Sequence, residues 1–175
     1  MDKPILRKLM IEKRHEYMEE DKKNSNKIIF DKLKNILTQY ENIGSYYNFD
    51  DEVDTVNINN WILANNKNLY LPKVNNGKID FYKVNDLKDV HEGTFGVMEP
   101  NADHFTDINN IECIIVPMVA FNNENYRLGF GKAHYDFALK DYKGFKLGIA
   151  YYFQKTNYLE IDPHDVKMDK IITDI

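Results

Sequence analysis

Cysteine is almost missing from this chain. Cys113 is the only copy, so no intrachain disulfide can form, and no Cys/His cluster has zinc-ligand spacing. It sits inside an apolar run, the ordinary place for a small buried thiol rather than a nucleophile. Long hydrophobic runs are absent too. No stretch approaches the length that spans a bilayer, and the residues after Met1-Asp2-Lys3-Pro4 are interrupted by charge, unlike a secretory leader. A cytoplasmic protein with no membrane partner is expected. Positive charge is in deficit: 23 Lys and Arg stand against 28 Asp and Glu, a net charge of −5. That argues against a general nucleic-acid binder. There is no internal repeat or low-complexity linker, and the five histidines are scattered, none paired with another at helical spacing. What remains is 175 residues, 43% hydrophobic and 29% charged. That is one domain's worth, over residues 1–175, with enough apolar material for a substantial core.

The most informative stretch runs from Ile111 to Leu139. It begins with a β-branched apolar run bounded by Pro117, the pattern of a strand buried on both faces. A polar loop, Asn122 to Tyr126, follows. Then come Gly129 and Gly131, flanked by Arg127 and Lys132, with a helix-like run behind. Glycines let backbone N–H groups approach a phosphate closely, and a helix start adds a favourable dipole. A Gly-x-Gly pair in a loop is most often only a turn. The flanking cations strengthen the anion reading, because Arg occurs only three times in the chain. Asp136, in the first turn behind the loop, is placed to hold Mg²⁺ against phosphates or simply to favour the helix dipole.

Elsewhere helices and strands alternate. Asp2 is a possible cap and Pro4 suits a first helical turn. Lys3, Arg7 and Arg14 share one face of that helix, either a solvated basic face or one aimed at a phosphate. Helical spacing predicts a second helix from about Ser25 to Tyr40. Ile43 to Tyr47 reads as a short strand, and Thr55 as the cap of a third helix through Leu63. Glu52, in the acidic turn before it, either complements the helix or accepts hydrogen bonds from a ligand. Leu69 to Pro72 reads as a buried strand stopped by its proline. Asn75-Asn76-Gly77 is a turn signal leading into the alternation of Ile79, Phe81 and Val84. Gly93 to Pro100 reads as a loop in which Phe95, Val97 and Met98 line an apolar pocket, with Glu99 as its polar handle. Phe145 to Tyr151 and Ile171–Ile172 complete the strands, with Tyr152 to Gln154 at the end of the former. The expected class is α/β, a three-layer sandwich with a largely parallel central sheet and helices on both faces.

Several pieces, taken in order, resemble the 5-formyltetrahydrofolate cyclo-ligase (methenyltetrahydrofolate synthetase) family. They are Lys3-x-x-x-Arg7, Tyr47 with Glu52-Val-Asp-Thr55, Leu71-Pro-Lys73, Gly96-Val-Met-Glu99-Pro100, the signature Arg127 to Asp136, and His164-Asp165. The likeness spans nearly the whole chain. The departures are Ala133 for the third glycine of the signature, His134 for its first tyrosine, Met118 for a glycine, and Asn122 for an aspartate.

The resemblance implies ATP- and Mg²⁺-dependent conversion of 5-formyltetrahydrofolate, possibly polyglutamylated, to 5,10-methenyltetrahydrofolate, releasing ADP and phosphate. The formyl oxygen would attack the γ-phosphate, and N10 would then displace the phosphate. It implies catalytic roles for Arg127 and Lys132. The implied ATP site comprises Lys3, Pro4, Ile5, Leu6, Arg7, Arg127, Leu128, Gly129, Phe130, Gly131, Lys132, Ala133, His134 and Tyr135. Tyr47, Glu52, Met98, Tyr151 and Tyr152 would bind the folate, and Asp136 and Asp165 the Mg²⁺. The alternatives are a non-catalytic nucleotide- or phosphate-binding module, or a sugar-phosphate isomerase or acyl-CoA transferase on a similar scaffold. Oligomeric state is open, and a monomer fits.

Overall fold

Chain order explains where the crevice falls. The computed structural model describes residues 1–175. It begins with helices α1 (Lys3–Glu16) and α2 (Glu19–Leu37), strand β1 (Asn42–Gly44) and helix α3 (Val56–Ala64). A hairpin β2 (Asn68–Asn75) and β3 (Lys78–Val84) follows, then the short strands β4 (Val90–Glu92), β5 (Met98–Pro100) and β6 (Phe105–Thr106). The second half holds β7 (Cys113–Val116), β8 (Ala120–Phe121), β9 (Arg127–Leu128), α4 (His134–Leu139), β10 (Phe145–Ile149) and β11 (Lys170–Ile172). Seven strands form the main sheet in the order β11-β10-β7-β1-β2-β3-β6. The pairs from β11 to β2 are parallel, and β3 and β6 add an antiparallel edge. Strand order reverses at β1, with β2 on one side and the later strand β7 on the other. A crevice therefore opens beyond the carboxyl ends of β1 and β7, the usual place for a ligand in such sheets.

Burial follows the alternation of each strand. Leu69 and Leu71, Cys113 and Ile115, and Leu147 and Ile149 point to one face, under Ile29, Leu33 and Leu37 of α2 and Ile58 and Ile62 of α3. Tyr70, Phe81, Ile114 and Val116 point to the other, against Leu139 of α4, Met118 and Met168. The expected three-layer α/β class is therefore present. Helix α1 does not cover the sheet. Its Leu6 and Met10 pack on Val119, Ala120 and Leu128 of the small β8–β9 hairpin. That contact ties the N-terminal helix to the loop after β9. No helix is long and apolar enough to cross a membrane.

Several local expectations need correction. Helix α2 starts at Glu19, not Ser25; Glu19, Glu20 and Asp21 complement its N-terminus. Ser25 is instead buried mid-helix, donating its hydroxyl to Asp174 at 2.7 Å. Asp2 and Thr55 cap nothing with their side chains. Thr55 Oγ1 donates to the Tyr46 carbonyl at 2.6 Å, and Asp54 receives the Val56 N–H at 2.8 Å in its place. Pro72 does not stop β2, which runs on to Asn75. Strand β1 ends opposite Tyr70, so from Leu71 onward β2 is paired on one side only. A missing N–H is tolerated there. The expected Gly93–Pro100 loop is shorter: residues 93–97 connect a β4–β5 hairpin, and Met98–Pro100 is strand. The turn signal holds: Asn76 (φ 50°) and Gly77 (φ 78°) both have positive φ, as a two-residue hairpin turn requires.

Candidate active site

Two cavities lie in the crevice and share a wall. The first, about 290 Å³, is polar. Helix α1 gives it Lys3 and Arg7, the β9–α4 segment gives Arg127 to Asp136, and the loop before β11 gives Asp162, His164 and Asp165. The inward reading of the α1 basic face thus holds for Lys3 and Arg7. Lys3 Nζ reaches Asp162 at 2.6 Å and Asp165 at 2.8 Å. Burial alone would lower its pKa, but the two carboxylates hold it above the ordinary lysine value. Arg7 Nε donates to the Gly129 carbonyl at 2.7 Å. This bond locks the loop to the helix.

Arg127 is buried, with its guanidinium 5.3 Å from the Tyr135 ring centre and its Nε without a hydrogen-bond partner. Burial pushes its pKa down, yet a guanidinium stays charged in a protein. A buried charged donor left without a hydrogen-bond partner in the chain suits an anionic ligand. Geometry favours both glycines. A Cβ on Gly129 would come within 2.7 Å of Arg127 Nη1, and Gly131 has φ +97°. Ala133 stands in left-handed backbone, φ 57° and ψ 19°, so its side chain is strained. The following helix α4 has only six residues, shorter than the helix-like run suggests, so its dipole adds little.

The second cavity, about 370 Å³, is mostly apolar. Tyr46, Tyr47 and Phe49 enter from the segment after β1, and Pro72, Val74 and Ile79 from the β2–β3 hairpin. Phe95, Val97 and Met98 close it from the β4–β5 hairpin, as their pattern suggested. Two buried carboxylates face it. Glu52 accepts the Phe49 N–H at 2.7 Å, and Glu99 accepts the Thr94 N–H at 2.9 Å. Burial raises the Glu52 pKa from 4.5 to about 7, against the opposing Phe49 hydrogen bond and the Arg14 charge. Pro117, Phe130, Lys132, His134 and Tyr135 line both cavities.

Not every candidate residue reaches the site. Tyr151 is fully buried, with its hydroxyl donated to Asn26 at 2.8 Å and its ring stacked on Phe153. Tyr152 is half-exposed and faces a separate groove beside Leu6 and Leu9. The chain turns into a 3-10 segment after Tyr151, which carries both rings away from the crevice. Pro4 and Ile5 are exposed on the outer side of α1, and Leu6 is core. Of the α1 segment, only the i and i+4 cations face the cavity. Sequence reasoning missed Phe49, Tyr46, Val74 and Asp162, which have no distinguishing local pattern. Ile79 was legible as a half-exposed strand residue but not as a cavity wall.

Carboxylate oxygens for a divalent cation are present. Asp136 Oδ1 accepts the Val166 N–H at 3.1 Å, and Asp165 Oδ2 accepts the Asp162 N–H at 2.8 Å. Backbone thus orients each carboxylate; Asp165 Oδ2 also takes the Lys3 ammonium at 2.8 Å, and His164 Nε2 lies 3.8 Å from its Oδ1. Asp162, His164 and Asp165 also offer atoms within 4.8 Å of one another. Hard oxygen donors suit Mg²⁺; an imidazole suits it less.

The profile of the 5-formyltetrahydrofolate cyclo-ligase family matches residues 1–174. The chain is 36% identical to a 5-formyltetrahydrofolate cyclo-ligase of Mycoplasma pneumoniae over 183 residues, covering 99% of each. It is 31% identical to that of Mycoplasma genitalium, covering 98% of each. Among solved structures, it superposes on a 5,10-methenyltetrahydrofolate synthetase from Mycoplasma pneumoniae with a TM-score of 0.83 at 35% identity, both chains fully covered. The Aquifex aeolicus 5,10-methenyltetrahydrofolate synthetase gives a TM-score of 0.89 at 35% identity, covering 99% of this chain and 90% of that one. With the match running from end to end of the fold that builds the two joined cavities, the chain belongs to the 5-formyltetrahydrofolate cyclo-ligase family of enzymes.

Proposed function

We propose that this protein uses ATP to close 5-formyltetrahydrofolate to 5,10-methenyltetrahydrofolate, releasing ADP and phosphate. The observation that carries this reading is the shared wall. A cationic cavity sized for phosphates and an apolar cavity sized for a fused ring meet at Phe130, Lys132, His134 and Tyr135. Two substrates bound there bring their reacting ends together. The chemistry needs little more. An amide-like formyl oxygen is a poor leaving group, and phosphorylation makes it a good one. The formyl oxygen attacks the γ-phosphorus and the bond to ADP breaks. N10 then attacks the formyl carbon, the C–O bond to phosphate breaks, and N10 loses its proton. Positioning and charge stabilisation suffice for such a transfer, and no nucleophilic side chain is called for.

Arg127 and Lys132 act on the phosphates as the catalytic cations, with Lys3 and Arg7 beside them. Backbone amides around Gly129 and Gly131 approach the phosphates closely. Asp136 and Asp165 would hold Mg²⁺, which when bound would neutralise phosphate charge. In the apolar cavity, Tyr47 and Met98 bound the folate ring, and Glu52 receives the pterin N–H groups. A cytoplasmic setting belongs to the same reading.

Mixing protein, ATP, Mg²⁺ and 5-formyltetrahydrofolate should produce methenyl absorbance, and chelating the Mg²⁺ should stop it. Thermal stabilisation by ATP–Mg²⁺ with none by 5-formyltetrahydrofolate would instead mark a nucleotide-binding module.

A further inference from the structure

The apolar cavity holds a second buried acid besides Glu52. Glu99, in β5, lines it and is 4% exposed. Its Oε1 accepts the Thr94 N–H at 2.9 Å. Gly93 packs so closely on the carboxyl that a Cβ there would collide with Cδ and Oε1. The group is thus fixed in one orientation within its own hairpin. Its Oε2 accepts no hydrogen bond from the chain, yet it is not sealed from solvent, as Arg14 Nε, Asn59 Oδ1 and Arg127 Nε are. On a side chain buried this deeply and lining a cavity, an open oxygen faces that cavity.

No cation of the chain neutralises it. His91, opposite Glu99 in the β4–β5 register, is exposed and makes no ion pair with it. Arg14 is buried 5.8 Å from the centre of the Phe130 ring, with its Nε unpartnered. Lys132 and His134 lie in the wall shared with the polar cavity. A buried acceptor is costly unless something donates to it. We propose that Glu99 is a substrate-binding residue that accepts the N8–H of a reduced pterin ring, so that the cavity selects tetrahydro over fully oxidised folates. This rests on the folate occupying the apolar cavity with its 2-amino and N3–H groups on Glu52. Glu99 enters from the β4–β5 hairpin and Glu52 from the segment after β1, so the two meet different edges of the ring. N8–H is the ring donor that Glu52 leaves over. In a fully oxidised pterin N8 carries a lone pair instead, which a carboxylate oxygen repels. The Thr94 bond and the Gly93 packing keep Glu99 from rotating away from that mismatch.

The test compares dissociation constants, by calorimetry, for tetrahydrofolate and folic acid, which differ in the oxidation of the ring. Wild type should bind tetrahydrofolate more tightly by about 10-fold or more, as a hydrogen bond to a charged acceptor supplies. Glu99→Gln keeps an oxygen for the Thr94 N–H and turns an amide NH₂ to the cavity. It should weaken tetrahydrofolate about 10-fold, leave folic acid as tight or tighter, and erase the preference. A merely structural role would weaken both ligands alike. A preference that survives in Glu99→Gln overturns the proposal, as does wild type with no preference. A second arm needs no variant. 5-Formyl-8-deazatetrahydrofolate, with CH₂ in place of N8–H, should bind wild type about 10-fold more weakly than 5-formyltetrahydrofolate; equal binding overturns the proposal even if Glu99→Gln fails to fold. Wild type that binds no 5-formyltetrahydrofolate would instead remove the function reading itself.

Discussion

Arg127 and Glu52 are both ionisable groups held where burial opposes their charge. For Arg127 the proposed partner is the bound phosphate. Arg127→Met should therefore lower turnover about 100-fold, as loss of a charge-stabilising donor does, while thermal unfolding shows no loss of fold stability. Lys132→Ala should also lose turnover, and its exposure makes a stability change unexpected. For Glu52 the pH dependence of folding has a definite sign. Its folded pKa of about 7 lies above its ordinary 4.5, so the native state holds the proton longer than the unfolded one. A destabilising contribution therefore develops as pH rises from about 4.5 to about 7 and is constant above. Glu52→Gln should stabilise the protein by on the order of 2 kcal/mol near pH 8 and by almost nothing near pH 4, measured by denaturant unfolding at both. Neither effect was legible in the residue types. Composition marks Arg127 as scarce but not as buried, and an acidic turn ahead of a helix is usually solvated.

At the scale of elements, the β9–α4 segment is what the site is built on. Its sequence pattern suggests a phosphate cradle, and the fold adds α1, clamped to it through Arg7 and the Gly129 carbonyl. Ala133 is the strained point, in left-handed backbone. Ala133→Gly should stabilise the protein by about 1 kcal/mol, a rise of about 2–4 °C in melting temperature, because glycine adopts that conformation without steric cost. Gly129→Ala should do the opposite to function. Its Cβ would lie 2.7 Å from Arg127 Nη1, so the guanidinium must move, and the Michaelis constant for ATP should rise about 10-fold or more with the fold intact. Hairpin β2–β3 was legible from Asn76-Gly77 because only residues tolerant of positive φ fit that turn. The end of β2 was not legible, because whether a proline breaks a strand depends on which neighbours are paired there.

Across the whole molecule, two cavities meet on one wall, and if both take the proposed substrates, ligand effects on stability should be large. ATP–Mg²⁺ and 5-formyltetrahydrofolate, each at about 100 times its dissociation constant, should each raise unfolding stability by about 2.7 kcal/mol. Differential scanning fluorimetry with each alone checks this; a response to neither would remove both site assignments. The sequence by itself determined the α/β class, the buried central strand, the glycine turns and the order of motifs. Those features follow from local periodicity and local backbone demands, which a chain carries with it. Only the tertiary structure decided that Lys3 and Arg7 turn inward and that Tyr151 and Tyr152 turn away. It also decided that Phe49, Val74 and Asp162 line the crevice, and that Arg14 is buried without a partner. Those outcomes depend on which distant segments the sheet order brings together: α1 against the β8–β9 hairpin, and the ends of β1 and β7 side by side. No spacing along a single segment encodes them.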